Sequence, residues 1–137
     1  MLRRFGVVAA LVLLAGGAAS SAQGPAQSFG IWRNPQNSVH IRAHACGGKS
    51  MCGTVVWANE KAQADARRGG TQKLVGTQLF QGFVPAGPNI WRGKVFVPDI
   101  NKTFSGTVTR IDDRTIVGKG CLLGKVGCKS QTWTRVE

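Results

Sequence analysis

Few residues in this chain are equipped for chemistry. Cys46, Cys52, Cys121 and Cys128, two histidines (His40 and His44) and six carboxylates make up the inventory. Cys46 and Cys52 stand six positions apart, with Gly47, Gly48 and Gly53 around them. Zinc cysteines come as C-x2–4-C, and five intervening residues miss that spacing. Neither cysteine pair is C-x-x-C, the arrangement that lowers a thiol pKa for redox exchange. A structural disulfide fits better. Closing a ring this small contributes only roughly 2 kcal/mol, so it shapes one loop without joining distant parts. Four cysteines allow three pairings. The two local ones, Cys46–Cys52 and Cys121–Cys128, are expected, because each closes its own glycine-containing turn.

The other polar residues offer less. On a strand, side chains four apart are ~13 Å apart, so His40 and His44 do not share one metal ion. They read as polar positions on an exposed strand face. Asp99, Asp112 and Asp113 fall in turn sequences, which leaves no catalytic carboxylate pair. There is no nucleophile elbow, phosphate loop or H-E-x-x-H. The expectation is a non-enzymatic protein with no catalytic residues, metal or cofactor. The larger inventory is aromatic: Trp32, Trp57, Trp91, Trp133, Phe80, Phe83, Phe96 and Phe104. Those side chains either fill a core or line a cavity.

The chain opens with Arg3-Arg4, a short apolar run over Phe5–Ala15, and small residues ending at Ser20 and Ala22. That is the pattern of a secretory signal peptide. The run is well short of the ~20 residues of a membrane span. Residues 1–22 are therefore expected to be removed, leaving 23–137 as a single domain in the periplasm or outside the cell, with no transmembrane segment. Four cysteines in the exported part suit an oxidising compartment. Without Arg3 and Arg4, the 18 basic residues become 16 against 6 acidic, a net charge of +10. Such a charge suggests an anionic partner. The basic residues are scattered, with Arg67-Arg68 as the only doublet after residue 22. They form no basic stripe interleaved with aromatics, so nucleic acid is not expected.

The elements follow from period-2 alternation and turn signals. Phe29–Trp32 reads as a strand, and Asn34-Pro-Gln-Asn37 as a turn. Val39–Ala43 and Thr54–Trp57 flank the first cysteine loop as a hairpin. Asn59–Arg68 is alanine-rich and ends at Gly69-Gly70, which predicts a helix. A fourth strand is expected over Gln72–Phe83, then a turn over Val84–Asn89 and a strand over Ile90–Phe96. Thr103–Ile111 and Thr115–Cys121 follow as strands. The second cysteine loop spans Leu122–Gly127, and Lys129–Val136 is the last strand. About eight strands with short local connections predict an all-β antiparallel up-and-down barrel with one helical insert. Closing the sheet covers its edges.

Several motifs together resemble a known family. They are CGGKSMCGTVVW at 46–57, G-x-W at Gly30–Trp32, IWRGKVFVPDINKTFSGTV at 90–108 and QTWTRV at 131–136. This set is similar to small exported bacterial proteins known as domain of unknown function 2147. The chain differs in its helical insert and in carrying Cys121 and Cys128. The resemblance implies a lipocalin-like or fatty-acid-binding-protein-like barrel and supplies no established activity. Lipocalins open with G-x-W and lay a late arginine over that tryptophan. By that analogy, Gly30, Trp32, Trp133 and Arg135 are expected at the barrel closure.

Two functions follow as expectations. One is a small apolar or amphipathic ligand held inside the barrel, with Trp57, Phe80, Trp91, Phe96 and Phe104 as candidate lining residues. The other is a packed barrel whose basic surface contacts an anionic envelope polymer or lipid. An interior above ~300 Å³ favours the first.

Overall fold

The computed structural model describes residues 28–123 and 126–137; the expected signal peptide at 1–22 lies outside them. Eight strands close into one antiparallel barrel in sequence order. They are β1 (Ser28–Arg33), β2 (Val39–Ala45), β3 (Met51–Ala58), β4 (Gln78–Gly87), β5 (Ile90–Val97), β6 (Lys102–Asp112), β7 (Thr115–Leu123) and β8 (Val126–Arg135). One helix, α1 (Glu60–Gly69), connects β3 to β4, and a 3-10 turn at Pro98–Ile100 leads into β6. The barrel is the arrangement that the alternation and short turns predict.

Helix α1 begins where its chemistry dictates. The Asn59 side-chain oxygen accepts from the Ala62 amide at 2.8 Å and satisfies one orphan donor of the first turn. Gly70 ends the helix at φ +108°, a left-handed position that suits glycine. Gly69 has a second role. A Cβ there would collide with the Pro98 carbonyl oxygen and Asp99, so only glycine lets the helix end press onto the 3-10 turn.

Several expected boundaries move. The fourth strand starts at Gln78 instead of Gln72, and it continues through Pro85 to Gly87 where a turn was expected. Register shifts on both sides of Val84-Pro85 mark irregular pairing, which tolerates a proline in a strand. The reversal itself is tighter, with Asn89 at φ +58°. The second cysteine loop is also shorter than Leu122–Gly127. Here β7 and β8 continue past the cysteines, and Cys121 and Cys128 are direct cross-strand partners.

The core runs along the barrel axis. Phe83 and Val55 are its most enclosed large side chains. Phe80 meets Phe83 and Trp133 edge-on, at centroid distances of 5.7 and 5.5 Å. Ile41, Val108 and Trp32 complete this half, while Ala58, Ala66, Leu74 and Leu79 carry the core on to α1. Both local disulfides are present, Cys46–Cys52 across the β2–β3 turn and Cys121–Cys128 between β7 and β8.

The closing seam is short. β1 meets β8 through Trp32↔Arg135 and Arg33↔Thr134. The Arg135 guanidinium lies 5.7 Å from the Trp32 ring centroid, and its Nε donates to the Glu137 carbonyl at 2.8 Å. Gly30 makes room for this group: at φ +99°, a Cβ there would stand 2.8 Å from Arg135 Nε. Trp133 is one pair removed from the seam, with Ile116 of β7 as its register partner.

Candidate functional site

Alternation along β8 puts Trp133, Gln131, Lys129 and Gly127 on one face. All four line a cavity of about 870 Å³. It opens at the barrel end that carries α1 and the 3-10 turn, whose residues also border it. Trp133 is buried and meets Phe80 at the floor. Val95 and Phe104 add apolar wall.

The opposing strand has almost no side chains here. Gly118 and Gly120 are the register partners of Gln131 and Lys129. A Cβ on Gly120 would find nothing nearer than the Phe104 Cβ, 4.0 Å away. The missing side chain keeps that part of the lumen wide. Gly53 and Gly93 serve the opposite purpose, since the space a Cβ would need is taken by Phe80 and Ile41, and by Phe83. One half of the barrel is thus packed and the other hollow.

Charge at the mouth is uneven. Lys61 Nζ donates to Asp65 at 2.8 Å, and Arg68 pairs with the same carboxylate. The Lys61 hydrogen bond, with the charges of Lys61 and Arg68, holds the Asp65 carboxyl below its ordinary value. Asp99 also borders the opening. Lys129 has no ion pair among the described residues. The cavity therefore has an apolar floor, an amide part-way up one wall, and an ammonium group at its rim.

Of the expected lining residues, Phe80, Phe96 and Phe104 line the cavity. Trp91 does not. It packs against the core in the half of the barrel away from the opening, beside Val108. Trp57 lies outside the barrel, 43% exposed, with its ring 4.6 Å from that of His40. A bulge explains this. His40 pairs with Trp57 but Ile41 pairs with Val55, which leaves Val56 as an extra residue. One extra residue reverses the alternation, so Val55 points in and Trp57 points out. Sequence reasoning missed Lys129, Gln131, Gly118 and Gly120. Counting in twos from Trp133 would have found the first two.

The histidines have local partners. His44 Nδ1 is 3.0 Å from the Ala45 carbonyl and Nε2 is 2.8 Å from the Thr54 hydroxyl. His40 Nε2 is 2.7 Å from the Asn37 side-chain oxygen. Partial burial beside Trp57, and then the charge of Arg33, lower the His40 pKa. Among the described residues, no group of three or more His, Cys, Asp or Glu side chains is arranged to hold a metal ion.

A family model described as an uncharacterized protein conserved in bacteria, DUF2147, matches residues 30–135. The chain belongs to the DUF2147 family. No curated protein and no solved structure matches it. The family match covers every strand from within β1 to the end of β8, and so includes the cavity wall on β8.

Proposed function

We propose that this protein binds a small apolar or amphipathic molecule in the barrel lumen, as an exported, non-enzymatic carrier or sensor. The observation that carries the reading is the cavity. At about 870 Å³ it falls within the ~300–1,000 Å³ range of small-molecule sites. Its floor of Phe80, Trp133, Val95 and Phe104 suits a hydrocarbon portion. The ammonium of Lys129, which has no ion pair among the described residues, suits an acidic head group. Export is supported by the basic-apolar-small leader over residues 1–22 and by two disulfides, which persist in oxidising compartments.

Tryptophan fluorescence titrated with carboxylic acids of increasing chain length tests this reading, with Trp133 as the reporter. Each buried CH₂ contributes ~0.8 kcal/mol, so affinity rises about fourfold per carbon until the floor is reached. A flat response across the series, together with no co-purified small molecule in native mass spectrometry, would overturn it.

A further inference from the structure

The outer face of β5 to β8 has a pattern the lumen does not use. These four strands pair in continuous register through their central residues. Glycines show which face is which. A Cβ on Gly93 would meet Phe83, one on Gly106 would meet Val95, and one on Gly118 would meet Phe80 and Trp133. Those positions point inward. Their neighbours Arg92, Lys94, Ser105, Thr107 and Lys119 therefore point outward.

Register then places these outward residues in rows. Arg92, Thr107, Lys119 and Ser130 share one row across the sheet. Lys94, Ser105 and the Cys121–Cys128 disulfide share the next. Adjacent strands stand ~4.8 Å apart, so Arg92 and Lys119 are ~10 Å apart, with a threonine between them. Lys94 is ~7 Å further along β5. The row on the other side is Ile90, Thr109, Val117 and Thr132, two hydroxyls alternating with two apolar residues. None of these outward positions is a carboxylate, and Arg92, Lys94 and Lys119 make no ion pair among the described residues. Among the described residues, Lys94 Nζ reaches only the Ser105 hydroxyl, at 3.3 Å.

We propose that this face binds a linear acidic polysaccharide. Cations ~7–10 Å apart on a bed of hydroxyls complement a chain that alternates carboxylate or sulfate groups with sugar hydroxyls. The Arg92 guanidinium offers the paired donors that a carboxylate or sulfate takes. The two basic rows carry no aromatic side chain, so they lack the stacking platform of a single-stranded nucleic-acid site. They also lack the apolar wedge that anchors a surface in a bilayer. The disulfide joins β7 to β8 beside the cations and holds that part of the lattice rigid.

A charge-matched comparison tests the proposal. R92Q/K94Q/K119Q removes the patch, and R42Q/K49Q/K73Q removes the same charge from exposed positions elsewhere. Both are titrated with a polyuronate at several salt concentrations and eluted from immobilised heparin, with thermal melts to confirm folding. Wild type is expected to bind with salt-dependent affinity. The patch variant loses about tenfold or more, the sum of three exposed charge contacts, and the control stays within about twofold. If the triple variant melts early, the three single variants are read instead, each losing about threefold. Equal loss in patch and control variants would assign binding to net charge and overturn the proposal. So would equal binding of neutral dextran, no binding by wild type, or binding to anionic vesicles without binding to polyuronate.

Discussion

Arg135 and Trp32 face each other across the shortest junction in the barrel, the guanidinium 5.7 Å from the ring centroid. Trp32↔Arg135 and Arg33↔Thr134 pair β1 with β8, and Ile31 adds backbone hydrogen bonds to Val136 and Glu137, so this contact sits inside a short closing seam and bears on closure more than a surface cation–π pair would. The contact is worth roughly 0.5–2 kcal/mol. Arg135→Ala is expected to lower the melting temperature by about 4–8 °C per kcal/mol lost. Arg114 lies in an exposed turn, and Arg114→Ala is expected to leave it nearly unchanged. Equal shifts in the two melts would remove the contact from the account of closure.

Gly69 is expected to be the least replaceable residue of α1. Alanine would raise helix propensity in an ordinary helix interior. Here its methyl group would meet the Pro98 carbonyl oxygen and Asp99. Gly69→Ala is therefore expected to destabilise by ~1–3 kcal/mol, as overpacking does. Ala64→Gly, away from that junction, should cost ~1 kcal/mol or less through propensity alone. Urea melts measure both, and a stabilised Gly69→Ala would contradict the close approach.

His40 gives stability a pH dependence of predictable sign. Its folded-state pKa is lowered from 6.5, by burial and then by Arg33. The unfolded chain therefore takes up a proton first as pH falls through about 6.5. The His40 contribution is fully present above that value and declines toward the lowered folded pKa. Wild type should melt earlier at pH 5.5 than at pH 7.5, and His40→Gln should reduce that difference. An unchanged difference in the variant would place the dependence elsewhere.

Gly120 and Lys129 separate the size of the lumen from its charge. Gly120→Leu projects into open space beside Phe104, so it should abolish binding of a long-chain acid while leaving the melting temperature within a few degrees. Lys129→Met keeps the volume and removes the ammonium group. It should weaken an acid about fivefold and leave an alcohol of the same length unchanged. Calorimetric titration reads all four combinations. Unaltered acid binding in Gly120→Leu would place the ligand outside this cavity.

Local chemistry in the sequence already determines much of the protein. Period-2 alternation, turn residues, the alanine-rich run and its Gly69-Gly70 stop specify the strands and the helix, because each acts over a few residues. The cysteine pairs are legible for the same reason, since each bridges its own turn. The G-x-W of β1 and the late Arg135 point to the seam only through a resemblance. Which aromatics face the lumen was decided by tertiary pairing. Val56 is an extra residue only relative to β2, and that pairing turns Trp57 outward. Pro85 stays within a strand because β5 pairs irregularly with it. Glycines that look alike in sequence diverge as well: Gly93 is filled by Phe83, while Gly120 leaves a void. What fills or empties such a position is a side chain distant in the chain, brought there only when the barrel closes.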